Sequence, residues 1–117
     1  MDADGLTRGI ELFNRAEFFA AHEALEDVWR AAPTEEKKFF QGLTQVAVAF
    51  HHHSTGNVAG MQSLLRRAMS NLKNYPAQFR EIDVRSLLES LTRWADAIDR
   101  DLPPPPLPRM QRLASGP

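Results

Sequence analysis

The chain has no cysteine, so it can form neither disulfides nor thiolate metal sites and offers no cysteine nucleophile. Any metal ion would rest on histidine, aspartate and glutamate alone. Long apolar runs are missing too. Nothing approaches the roughly 18 consecutive residues of a membrane span, and the opening Met1-Asp2-Ala3-Asp4-Gly5 is acidic and leads into no signal core. A soluble cytoplasmic protein with no membrane partner is the expectation. There is also no excess of one charge. Fourteen basic and 15 acidic side chains leave a formal net charge of −1, which gives no overall field for a polyanion, so nucleic acid is not an expected partner. Arg66, Arg67 and Lys73, with Arg80 and Arg85 following, come nearest to a basic patch and read as a solvated helix face. A Gly-x-Ser-x-Gly turn and a phosphate-binding glycine loop are both absent.

What is present is ordinary globular composition. Apolar residues make up 43% and charged residues 25% of 117 residues, enough for one core and too short for a second. The periodicity predicts an all-α single domain of about five helices over residues 1–102, an antiparallel bundle or array, followed by a Pro-rich extended or disordered tail over 103–117. Asp4 can cap a first helix over 5–14, with Leu6, Ile10 and Phe13 on its inner face and Asn14 as a stop residue. The second helix, 17–31, must end before Ala32-Pro33. Thr34 is placed to cap a third helix, 35–54, with Lys37 standing where a capping box has Glu or Gln. Asn57 and Asp83 can cap a fourth helix, 58–73, and a fifth, 84–101. Asn74-Tyr75-Pro76 begins a loop or short turn that runs to Ile82. The Pro103–Pro106 run, followed by Leu107 and Pro108, favours the polyproline II form, loose or strapped over the bundle.

Two stretches carry chemistry beyond packing. In the second helix, Phe18, Leu25 and Trp29 point within about 20° of one direction, with His22 about 40° from it and Glu26 about 80°. In the third, Phe39, Leu43, Val46, Ala47 and Phe50 form an apolar face, while Gln41, Gln45, Val48 and His52 line the other. That second stripe is too neutral for a solvent face, so the third helix is expected to be buried on two sides. Of His51, His52 and His53 only His52 joins the stripe, because adjacent helical residues point about 100° apart. The expectation is a buried polar cluster between the second and third helices, made of His22, Glu26, Gln41, Gln45 and His52 with Trp29 alongside.

His22-Glu23-x-x-Glu26 is near the His-Glu-x-x-His zinc motif but lacks the second imidazole, and His52 is the obvious further ligand. The Glu-x-x-His of di-iron bundles is absent, since Phe19 and Ala49 stand where the glutamates would be. Three readings of the cluster stay open: a self-satisfied hydrogen-bond network, a small-molecule or divalent-metal pocket, and an acid/base site.

Phe13-Asn14, Glu17-Phe18-Phe19, His22-Glu23, Leu25-Glu26 and Trp29, followed by Phe40-Gln41-Gly42-Leu43, Gln45 and a histidine two turns on, resemble the family called domain of unknown function 309. Gly56-Asn57 and the Leu64–Leu72 helix fit the same pattern, so the resemblance covers roughly 5–102. It implies a compact all-helical domain of prokaryotic type without an established activity. Its characteristic polar positions fall on His22, Glu23, Glu26, Trp29, Gln41, Gln45 and His52. Thr44, where an aliphatic residue is more typical, and the His51–His53 run depart from it.

The function expected is that of a non-catalytic binding or interaction module, partnered by a small molecule, a metal ion or a second copy in a homo-oligomer. The alternative is a hydrolase-like enzyme with His22, Glu26 and His52 holding a divalent metal and Glu23 as catalytic base.

Overall fold

Five α-helices form among the residues described by the computed structural model, 2–113, with side chains described from Gly5 onward. They are α1 (Asp2–Asn14), α2 (Phe18–Ala31), α3 (Lys37–Ser54), α4 (Val58–Leu72) and α5 (Val84–Asp99). A short antiparallel ribbon, β1 (Gln78–Phe79) and β2 (Ile82–Asp83), precedes α5.

α1 begins earlier than expected, so residue 4 lies inside the helix instead of capping it; its side chain is outside those described. The α1–α2 turn closes with Ala16 at φ 65° and the Glu17 N–H donating to the Leu12 carbonyl at 2.9 Å, a left-handed helix end. Gly9 lets α1 approach closely, because a Cβ there would come within 2.7 Å of the Leu25 side chain on α2. α2 stops at Ala31 with Ala32 extended before Pro33, as the proline dictates. Thr34 opens a single 3-10 turn, Thr34–Glu36, and makes no side-chain cap. Lys37 has a different task from the glutamate it replaces. Its Nζ donates to the carbonyls of Trp29 at 3.3 Å and Arg30 at 3.0 Å, satisfying the open end of α2.

α3 packs between α2 and α4. Phe39, Leu43, Val46, Ala47 and Phe50 are all fully buried, and the Thr44 hydroxyl, 4% exposed, donates to its own Phe40 carbonyl at 2.8 Å. Phe50 gathers the centre, its ring lying 6.1 Å from Phe13, 5.8 Å from Phe18 and 5.1 Å from Trp94. At Gly42 a Cβ would meet Leu72 at 2.9 Å, so α4 also comes in close. α4 and α5 begin on the predicted caps: Asn57 Oδ1 accepts from the Gly60 N–H at 2.9 Å, and Asp83 Oδ1 from the Ser86 N–H at 3.0 Å.

The loop expected before α5 is instead a hairpin. Arg80 and Glu81 both have positive φ, 52° and 63°, the backbone that matches a tight turn to strand twist. Ile82 is completely buried. Downstream, the chain from Pro103 runs without helix along the bundle and adds to this ribbon: Asp83 N–H donates to the Gln111 carbonyl at 2.9 Å and Leu113 N–H to Glu81 at 2.7 Å. Trp94 Nε1 donates to the Pro106 carbonyl at 2.9 Å, and Met110 is fully buried. Asn14, read from sequence as a mere stop, holds this segment. Its Oδ1 accepts from the Met110 N–H at 2.9 Å and its Nδ2 donates to the Met110 carbonyl at 3.0 Å. Residues 114–117 lie outside those described.

Asn14→Ala should therefore cost about 1 to 3 kcal/mol in urea unfolding, because it strands the Met110 backbone groups. A loss under about 0.5 kcal/mol would mean water replaces the clamp. Asp83→Ala should cost about 1 kcal/mol near neutral pH. The Ser86 backbone N–H and then its hydroxyl hold the Asp83 carboxyl below its ordinary 3.8. That contribution is complete above the unfolded value and fades as pH falls through the lower folded one, so wild-type and variant stabilities should converge in acid.

Candidate functional site

His22 sits half-buried on α2 with Nδ1 2.9 Å from the carbonyl of Phe19, one turn back. This fixes the hydrogen on Nδ1, since a carbonyl only accepts. The Phe19 ring, 54% exposed, lies 5.1 Å from the His22 ring and 5.4 Å from that of His51. The imidazole that shares a neighbour with His22 is thus His51, not the expected His52. His52 points along the α3–α4 turn, where Asn57 Nδ2 approaches its Nδ1 at 3.2 Å. His53 is exposed and rests against Trp94 at 4.9 Å.

Glu26 makes a surface ion pair with Arg30 at 3.5 Å instead of turning to His22. Glu23 is exposed. Trp29 packs half-buried against the core. Gln41 and Gln45 line a different surface from His22: Gln45 Oε1 accepts from Asn71 Nδ2 of α4 at 2.9 Å. No hydrogen bond among the described residues joins His22 or Glu26 to Gln41, Gln45 or His52, and no three His, Asp or Glu side chains there converge to hold a metal. The cluster expected between α2 and α3 is therefore not formed, and the metal set His22, Glu26 and His52 with Glu23 as base is dispersed. The reason is α3's place between two neighbours. Its apolar and polar stripes cannot both face α2, and Gly42, beside the polar stripe, admits α4 there.

What the glutamines do line is a hollow of about 430 Å3 shared with Lys38, Arg66, Arg67 and Asn71. Lys38, Arg66, Arg67 and nearby Lys73 are exposed, and none forms an ion pair among the described residues, where the four ion pairs use Arg30, Arg80, Arg100 and Arg112. Helical periodicity does not reveal this hollow, because Lys38 and Asn71 come from different helices. The available signal is an absence. From Lys37 to Arg80 there is no aspartate or glutamate, while Lys37, Lys38, Arg66, Arg67, Lys73 and Arg80 are all cationic. Residues 1–36 hold the opposite balance, nine acidic side chains against three basic. The net charge of −1 conceals this segregation.

The fold defines a small helical domain in which no three His, Asp or Glu side chains among the described residues gather to hold a metal ion. The chain belongs to the family described as Domain of unknown function (DUF309), whose match spans residues 6–64, from α1 into α4. It is 34% identical over 98 residues to an uncharacterized protein of Aquifex aeolicus (strain VF5), covering 74% of this chain and 29% of that one. It is 32% identical over 65 residues to the uncharacterized protein YpuF of Bacillus subtilis (strain 168), covering 55% of this chain and 37% of that one. The chain thus spans well under half the length of either relative.

A tag-free sample titrated calorimetrically with zinc should show no site tighter than about 0.1 mM. A site tighter than that, abolished by His22→Ala, would restore the metal reading and require α2 and α3 to rearrange.

Proposed function

We propose that the domain is a non-catalytic interaction module that binds an anionic partner through the α3–α4 face. The observation that carries this reading is the hollow at Lys38, Arg66 and Arg67, where cations meet the amides of Gln41, Gln45 and Asn71 with no carboxylate in the lining. Unpaired guanidinium groups present donors in a fork that fits carboxylate or phosphate oxygens, and the amides add neutral donors between them. The want of an ion pair does not mark these cations out, since among the described residues only Arg30, Arg80, Arg100 and Arg112 form one. What marks them is their company: three cations and three amides, with no carboxylate, line the same hollow. The like charges repel one another when the face is free, and an anionic ligand relieves that repulsion on binding. An acid/base reading has weaker support, because His22, Glu23, Glu26 and His52 face different surroundings.

Fluorescein-labelled poly-glutamate should bind the full chain at about 50 mM salt and be released by about 300 mM, as expected for screened surface charges. Arg66→Glu with Arg67→Glu should abolish binding, whereas Arg93→Glu on the exposed side of α5 should not. Equal losses from both would mean that the overall charge matters and the hollow does not.

A further inference from the structure

The hollow does not end at α4. Arg66 and Ser70 also line a second depression of about 450 Å3 between α4 and α5, whose other walls include Met69, Leu88 and Ala95, with Lys73 at its rim. Met69, Leu88 and Ala95 are only partly buried, so this apolar surface is left over after the core has formed. Beyond Leu88 and Thr92 the depression continues into a third, of about 420 Å3, reaching Tyr75 and Val84. The result is a trough between α4 and α5, floored by Met69, Leu88 and Ala95 and bordered on the α4 side by Arg66 and Lys73, that opens at its far end toward the loop at Tyr75 and Ala77.

We propose that this trough, with the adjoining cationic hollow, is the docking groove for an amphipathic helical segment of another protein, one whose polar face is acidic. The proposal rests on the anionic-partner reading above and names the partner's class. Arg66 and Lys73 are two helical turns apart, about 10 Å along α4. Carboxylates seven residues apart on a partner helix have that same spacing, and its apolar side chains at three- and four-residue intervals would descend onto Leu88, Met69 and Ala95. Around the depression that holds Arg66 and Lys73 the walls are α4 and α5, helices with internally paired backbones, so no free sheet edge is offered there to an extended strand. The far depression holds both Arg85 and Glu89 and so is balanced in charge, whereas the near one has Arg66 and Lys73 and no carboxylate, which places the acidic face of the partner at the near end.

Other anionic partners fit less well. Single-stranded nucleic acid binds through aromatic platforms as well as cations, and no aromatic side chain lines the trough beside Arg66, while the Tyr75 ring farther along already packs on Phe39 and Phe79 at 5.2 and 4.9 Å. A membrane surface would call for protruding apolar side chains beside the cations. Among the described residues the large exposed ones are Phe19, Val58, Leu102 and Leu107, none of which lines the trough.

The probe is a fluorescein-labelled synthetic helix of about 18 residues, with leucine on one face and glutamate on the other, compared with a scramble of equal composition. Anisotropy with the full chain should show the amphipathic peptide binding at least about tenfold more tightly than the scramble. Thr92→Trp, an exposed position that lines the trough, should obstruct it and cost the peptide about tenfold while leaving poly-glutamate within about twofold. Arg66→Glu should weaken both probes, and unchanged melting by circular dichroism would exclude unfolding as the cause. Equal binding of peptide and scramble, no effect of Thr92→Trp, or tighter binding of a single-stranded oligonucleotide or of anionic vesicles would each overturn the docking groove. Poly-glutamate binding retained alongside any of these would leave the broader reading standing, and its loss for the wild type would remove that reading as well.

Discussion

The packing of α3 against both α2 and α4 is the constraint on which the rest of the structure depends. α2 and α4 pack directly on it, and Phe50 extends its reach to α1 through Phe13 and to α5 through Trp94. Each fully buried aromatic or aliphatic side chain contributes about 1.5 to 3 kcal/mol, and Phe39, Leu43, Val46 and Phe50 give α3 an unbroken buried line against the rest of the core. Gly9 and Gly42 matter for the same reason. They are places where one helix comes too near its neighbour for a side chain on both.

The same constraint decides what remains on the surface. Once α3 has spent its apolar side on the core, its Gln41–Gln45 stripe lies along the edge where α4 arrives, and α4 brings Arg66, Arg67 and Asn71 to it. α5 meets α4 over a shorter contact than α3 does and leaves Leu88 and Met69 incompletely covered. A cationic hollow and an apolar trough therefore adjoin on one face, while the acidic side chains of residues 1–36 belong mainly to α1, α2 and the turn after them. Charge segregation of this kind acts over distances near a Debye length, about 8 to 10 Å, and so favours one orientation of an approaching anion.

Helix content, helix order and the caps at Asn57 and Asp83 were legible in the chain, because capping and three- and four-residue periodicity are local. So was the packing of α3 against more than one helix, although its second stripe, Gln41, Gln45, Val48 and His52, is only partly buried and its glutamines line an open hollow. The partner of that stripe was not. Periodicity gives the direction of a side chain around its own axis and says nothing about which helix stands opposite, so it cannot show that His22 and Gln45, both partly buried, face different neighbours. The 78–83 hairpin was hidden for a related reason. Its strands have two residues each, too few for a visible alternation, and its left-handed turn uses Arg80 and Glu81 in place of Gly or Asn.

The sequence by itself determined the class of fold, the helix boundaries to within a few residues and the inward faces, since these follow from backbone chemistry and the spacing of apolar side chains. Tertiary structure alone decided that Asn14 clamps Met110 across 96 residues, that His22, Glu26 and His52 stay apart, and that Lys38 joins Arg66 and Arg67 around one hollow. Those outcomes depend on which helices pack side by side, and that is set by the summed burial of the whole core, beyond what any local stretch encodes.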